Sequence, residues 1–274
     1  MSEQLILEKQ DLTYLTWTKI RNSSGTAGSF LKAYSELGGK KTYYKLSDYD
    51  NILGVVGHEC VNELIADRLL TLLGVEHLQY QLIHADILLN EKVEEVYLCA
   101  SEDFKAPGED KTALDEYYDA EHLPDESILS FCVRQGWADY IYAMLVVDFL
   151  ILNRDRHGAN IEVLRNKRKR TIRLAPLFDH GLSFLCRCRT EEQIASFDVM
   201  GDLAVQSYVG SRSALNNLDL IPKDSLPRFH PLKESDRTIL FAGLDEILSQ
   251  PLREKIWDMI WNRWCYYEDL CNSR

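Results

Sequence analysis

The sequence contains no uninterrupted apolar run near the ~20 residues that a membrane-spanning helix needs, so a membrane partner is not expected. Its richest stretch, Ala143 to Leu152, is broken by Asp148 and runs into Asn153-Arg154-Asp155, which predicts a buried core helix. The opening Met1-Ser2-Glu3-Gln4-Leu5 lacks the basic and apolar blocks of a signal peptide, so a cytoplasmic protein is expected. Positive charge is scarce: 31 Lys and Arg stand against 43 Asp and Glu, a net charge of −12. That balance argues against nucleic acid as a direct partner, because phosphate backbones are bound by basic fields. Cysteines lack a framework: there are seven, an odd and scattered set that suits a reducing compartment. Cys186-Arg187-Cys188 is the one close pair, and no second pair or histidine cluster at ligand spacing follows it, so free thiols are expected rather than zinc. Internal repeats and low-complexity tracts are also missing.

What is present is an ordinary globular composition, 46% hydrophobic and 27% charged over 274 residues, enough for a full core. The first hundred residues read mostly as strands. Thr13 to Ile20, Phe30 to Tyr34 and Lys41 to Leu46 have strand composition, the last two separated by a Gly38-Gly39 turn. From Val55 to Leu73 the apolar period becomes helical, with Val61, Leu64, Ile65, Leu69, Leu72 and Leu73 on one face and Gly74 as the stop. Leu78 to Leu89 and Glu95 to Ala100 return to strand character. Ser101 to about Glu126 is acidic and loop-like, punctuated by Pro107-Gly108 and Pro124, and predicts a boundary plus an insertion. Beyond it Ser127 to Leu152 reads as one long helical segment, and two or more helices are expected around Pro251. Trp257, Ile260, Trp261 and Trp264 share helical spacing and belong in a core. The expected class is α+β and bilobal, with a small β-rich lobe (1–103) followed by a larger helical lobe (104–274).

Two motifs carry chemistry. Asn153-Arg154-Asp155-Arg156-His157-Gly158-Ala159-Asn160 follows the buried helix and precedes apolar Ile161 to Leu164, so the loop is anchored at both ends. An aspartate and an asparagine at this spacing suit phosphoryl transfer: the first orients the nucleophile's proton, the second offers an amide oxygen to Mg²⁺. The same residues could instead cap a polar loop. Asp179-His180-Gly181 follows a short apolar run, and its carboxylate would bridge Mg²⁺ and phosphate while Gly181 permits a sharp turn. A hairpin of Ile161 to Leu164 with Thr171 to Leu174 would return Asp179 to the side of Asp155 and Asn160.

Asn153-x-Asp155-x-His157-x-x-Asn160 followed by Pro176-x-x-Asp179-x-x-x-Ser183 resembles the HipA-like serine/threonine kinases, a bacterial branch of the protein-kinase-like fold. Asp155-Arg156-His157-x-x-Asn160 is also similar to the loop of phosphoinositide kinases. The HipA-like resemblance implies Asp155 as catalytic base, His157 as support of the loop, and Asn160 and Asp179 as metal ligands. A kinase further needs a cation on the nucleotide phosphates, held by a carboxylate of the next helix. Lys45 at a strand end and Glu63 in Asn62-Glu63 fill these roles, with Glu59 one turn earlier as the alternative. Ser23 to Ser29 matches neither Gly-x-Gly-x-x-Gly nor the Walker pattern. It resembles the short phosphate loop of the family, with Ser24, Gly25, Thr26 and Gly28 as nucleotide contacts and Ser23, Ser24 or Thr26 as a site of autophosphorylation. Cys99 to Asp103, including Ser101, would hold adenine through backbone groups.

The resemblance leaves no room for the extra N-terminal domain of full-length HipA toxins, so an antitoxin-like regulator is not expected. ATP and Mg²⁺ are the expected cofactors, and a protein, the chain itself included, is the expected substrate. A lipid or small-molecule alcohol kinase and an inactive nucleotide-binding regulator are the alternatives. The basic turn Arg165 to Arg170 is a solvated hairpin tip or a dock for an acidic substrate.

Overall fold

The computed structural model describes residues 4–18 and 30–273. The segment with Ser24, Gly25, Thr26 and Gly28 lies outside the described residues. In chain order the first part holds β1 (Leu5–Asp11), β2 (Lys32–Leu37), β3 (Lys40–Leu46), the short β4 (Tyr49–Asp50) and β5 (Gly54–Val55), and α1 (Glu59–Leu73). Then come β6 (Gln81–Leu89), β7 (Lys92–Glu102), β8 (Asp110–Ala113), α2 (Leu114–Glu121), α3 (Ile128–Arg134) and α4 (Ala138–Ile151). After α4 follow β9 (Asp155–Arg156), β10 (Glu162–Asn166), β11 (Thr171–Leu174), α5 (Glu191–Ser196), β12 (Gln206–Ser207), α6 (Arg237–Leu240) and α7 (Gln250–Ser273). The main sheet has the order β1-β6-β7-β3-β2 and is antiparallel except for the parallel β1–β6 pair. Its β2–β3 turn uses Gly38 and Gly39, both at positive φ, as a two-residue hairpin requires.

Three expectations need correction. The stretch from Thr13, described as far as Thr18, does not form the first strand, which lies upstream in β1; Asp11 Oδ1 accepts bonds from both the backbone and the hydroxyl of Thr13, and this turn ends β1 before the stretch begins. Ser101 to Glu126 is no loop: it contains β8, a third strand beside the β10–β11 hairpin, and α2. Only Leu114 and Tyr117 of α2 are buried, too narrow a stripe to show as helical period among acidic neighbours. The long segment from Ser127 is split by Gly136 at φ 79° into α3 and α4. Two helices, α6 and α7, lie between Glu234 and the C-terminal end as expected, and Pro251 sits in the first turn of α7, where its missing N–H is harmless.

The expected helix of one apolar face is in fact buried almost all round. Gly74 ends α1 in the left-handed conformation as expected, but Glu59, Asn62, Glu63, Asp67 and Arg68 are buried along with its apolar residues, while Leu72 is only partly covered. Such polar groups persist in a core only when partnered. Arg68 donates to the carbonyls of Leu240 and Ala242, both at 2.9 Å. Asp67 accepts from Gln4 at 3.0 Å, from the Tyr80 backbone and, at 3.1 Å, pairs with His77 Nε2. Trp257, Ile260 and Trp264 lie in the same core, with Trp261 packed at its margin. Asp67→Ala strands the Tyr80 amide and His77 together, and we expect it to lower the free energy of unfolding in urea by about 2–4 kcal/mol.

Candidate active site

Lys45, Glu63 and Asp179 converge from three elements. Lys45 closes β3, Glu63 lies on α1, and Asp179 follows β11. Lys45 Nζ donates to Glu63 Oε1 at 3.0 Å and is also paired with Asp179 Oδ1. Glu63 Oε2 accepts the His180 amide at 2.7 Å, and Asn62 Nδ2 donates to the carbonyls of Gly181 and Ser183 at 2.9 and 3.1 Å. Helix α1 therefore braces the Asp179-His180-Gly181 turn with two consecutive side chains. Glu59, the alternative to Glu63, faces elsewhere, accepting the Asp48 amide and lying 3.6 Å from Arg189.

The sharp turn was expected at Gly181, but the left-handed residue is Asp179, at φ 59°, whose amide donates to Tyr80 Oη at 3.2 Å. Gly181 is required for closeness instead: a Cβ there would stand 3.2 Å from the Glu59 backbone oxygen and from Glu63 Oε1. Leu152 (φ 51°) and Phe184 (φ 55°) are left-handed as well. Three non-glycine residues in this sparse region mark a backbone held by its surroundings. Leu152 ends α4 and turns the chain into the loop from Asn153 to Asn160, where the Arg154 amide donates to the Leu182 carbonyl, while the Phe184 amide donates to that of Ile151.

Within that loop Asn160 Nδ2 donates to the Asp155 carbonyl at 2.7 Å, and His157 Nε2 lies 3.7 Å from Asp155 Oδ2. Gly158 packs against Asp115 of α2, so the segment expected to be an insertion supports the loop. Neither motif assigns a role to Arg156, which proves to be the clamp of the site. It is 1% exposed, binds Asp148 of α4 through Nε and Nη2 at 3.0–3.2 Å, and donates through Nη1 to the carbonyls of Phe178 (2.7 Å) and Asn160 (3.2 Å). Asp148 also accepts Asn153 Nδ2 at 2.9 Å, and Asn153 Oδ1 accepts the Asp155 amide at 3.1 Å. One buried ion pair thus ties α4, the candidate catalytic loop and the residue before Asp179. The signal for it was Asp148 itself, the one charge in the apolar run from Ala143 to Leu152, which needed an opposite charge nearby.

Electrostatics follow from this crowding. Burial alone would depress the Lys45 ammonium, but Asp179 and Glu63 overcome it and hold it well above its ordinary value. Burial pushes the Glu63 carboxyl up, against the pull of Lys45. Burial also raises Asp155, with His157 opposing and the Asp179 charge adding to the rise. His180 is held well below the usual histidine value by burial and by Arg156, and so is neutral. Three carboxylates around one ammonium leave an excess of negative charge. The Asn160 amide oxygen and the Asp179 carboxylate are the hard donors that a divalent cation would take here, although among the described residues no group of three or more His, Cys, Asp or Glu side chains is placed to hold one. Beside it opens a cavity of about 760 Å³, lined by Lys45, Tyr80, Asp179, Tyr43, Ser101 and Phe104 among others, within the usual size of a ligand site. The Phe104 and Phe178 rings meet within it at 5.5 Å.

Arg156→Ala leaves Asp148 buried without its partner, and we expect a loss of about 3–5 kcal/mol in urea unfolding. The double variant Arg156→Met/Asp148→Leu is expected to regain most of that stability without regaining the loop geometry, so melting and activity separate.

No protein-family model matches the sequence, and no curated protein matches it. Among solved structures, the crystal structure of the Helicobacter pylori proinflammatory kinase CtkA superimposes with a TM-score of 0.60 at 14% identity, covering 97% of both chains. HipA in the Shewanella oneidensis HipA, HipB and operator DNA complex gives a TM-score of 0.44 at 14% identity, over 90% of this chain and 67% of that one. The α+β chain described here has, from end to end, the fold of the kinase CtkA.

Proposed function

We propose that the chain is an ATP- and Mg²⁺-dependent serine/threonine protein kinase of HipA-like type, acting in the cytoplasm and phosphorylating a protein, itself included. The observation that carries this reading is the Lys45–Asp179 pair at the wall of the cavity, with Glu63 fixing Lys45 from α1 and the Asp155 carboxyl within electrostatic reach of both Lys45 and Asp179. In it, residues 1–103 form the nucleotide-holding lobe and 104–274 the lobe that carries the catalytic loop. Lys45, fixed by Glu63, holds nucleotide phosphates, and the strand around Ser101 holds the base. Asn160 and Asp179 would hold the metal. Bound MgATP supplies the transferable phosphoryl group and offsets the charge of its own phosphates. Asp155 orients the substrate hydroxyl and takes its proton, with His157 beside it. Most of the acceleration comes from this positioning and charge placement. Ser23, Ser24 and Thr26 are the candidate sites of self-modification.

The lipid-kinase alternative rests on Asp155-Arg156-His157, and Arg156 is spent on the buried clamp rather than turned toward a substrate. Incubation with labelled ATP in the presence of proteins or lipid vesicles separates the two, and label confined to lipid overturns the protein-kinase reading.

Intact-mass measurement after incubation with ATP and Mg²⁺ should show added phosphate in the wild type and a loss of about 10²–10⁴-fold in rate for Asp155→Asn. Folded protein that neither gains phosphate nor hydrolyses ATP would overturn the assignment. Asp155 must be ionised to take a proton, and its folded value is raised. Activity is therefore present above that value and lost as pH falls through it, and the acid limb of kcat/KM should lie above the ~3.9 of a free aspartate.

A further inference from the structure

Two buried thiols are unused by the chemistry above. Cys60 of α1 lies one helical turn before Glu63, and Cys99 of β7 is the cross-strand partner of Lys45. Both are essentially inaccessible from the outer surface, yet their sulfurs converge on one atom. Cys60 Sγ is 3.0 Å and Cys99 Sγ 3.8 Å from the Lys45 carbonyl oxygen, so the two thiols are neighbours. Cys99 also lines the cavity beside Lys45, which gives a small solute a way in. The remaining cysteines are far along the chain, at 132, 186, 188, 265 and 271.

We propose that Cys60 and Cys99 form a peroxide-oxidisable dithiol, a modification site at the back of the nucleotide cavity. Of the two, Cys99 lines the cavity, so its sulfur is the one that peroxide reaches. The Cys99 thiol gives up its proton and its sulfur attacks one oxygen of hydrogen peroxide; the O–O bond breaks, hydroxide leaves and takes up that proton as water, and Cys99 becomes a sulfenic acid. Cys60 sulfur then attacks Cys99 sulfur, the S–O bond breaks, and the departing hydroxide takes the Cys60 proton as a second water. Hydrogen bonding with Cys99 and Ser47 and the Lys45 ammonium lower the Cys60 thiol against the effect of burial, which favours this second step. Two thiols lose two electrons and two protons, and one peroxide becomes two waters. The product has no S–H group, so the Lys45 carbonyl loses both sulfur donors and α1 is bolted to β7 behind the Lys45–Glu63 pair. The effect on nucleotide binding rests on the function proposed above; the bond itself does not.

The test uses the full chain, reduced and then exposed to hydrogen peroxide, with free thiols blocked and peptides mapped by mass without reduction. A joined Cys60–Cys99 peptide lacking two hydrogens, reversed by dithiothreitol, is expected. Its formation should slow several-fold when a non-hydrolysable ATP analogue and Mg²⁺ fill the cavity. Oxidised wild type should lose its nucleotide-induced rise in melting temperature and recover it on reduction, while folded Cys60→Ser should keep that rise after peroxide. Recovery of Cys60 and Cys99 as free thiols, or a bridge only between other cysteines, would overturn the proposal. A joined peptide formed at the same rate with and without nucleotide would uphold the dithiol and count against the nucleotide cavity.

Discussion

The Arg156–Asp148 ion pair is the contact on which the candidate site depends. Neither charge could stay buried alone, because desolvation of an unpaired ion costs several kcal/mol. Once paired, Arg156 still has donors to place, and it places them on the carbonyls of Asn160 and Phe178. Its fork thereby sets the distance between the end of the candidate catalytic loop and the start of the Asp179 turn. Burial keeps the fork from being exchanged for water. Asn153 extends the same arrangement to the Asp155 amide, since its Nδ2 donates to the Asp148 Oδ1 that Arg156 also binds.

Helix α1 performs the equivalent service from the other side. It presents Asn62 and Glu63 to the Asp179 turn, Glu59 to the Asp48 backbone, and Asp67 to the chain around Tyr80. A helix with this many buried polar groups has little freedom to rotate or slide, because any shift would break several bonds at once. Lys45 reads that rigidity directly, since Glu63 and Asp179 are both fixed before the ammonium meets them.

Much of this was legible in the sequence. The strand pair around Gly38-Gly39, the helix ending at Gly74 and the hairpin between the two motifs were set by local turn chemistry and apolar period, and the structure has all three. Lys45, Glu63 and Asp179 come together because the hairpin and helix were placed correctly. What escaped was non-local. Arg156 and Asp148 are eight positions apart and meet only after α4 ends at Leu152; Tyr80 reaches Asp179 from just before β6, where no motif lies. Helix α2 escaped because a helix that buries two side chains has almost no period to detect. Gly181 was noticed for the wrong reason, since a glycine needed for close approach cannot be told from one needed for positive φ in a bare sequence.

The parallel pairing of β1 with β6 has a consequence for how the chain assembles. Leu5 meets Leu82, whereas β6 and β7 meet through a two-residue turn. A strand at the start of the chain leaves the ribosome long before its partner exists, and its loop-closure entropy must be met before any pairing rewards it. The β6–β7 hairpin can therefore close locally, whereas β1 must wait for β6 before it has a partner. Until it docks, the exposed edge of β6 is the place where a nascent chain of this protein is most open to pairing with another.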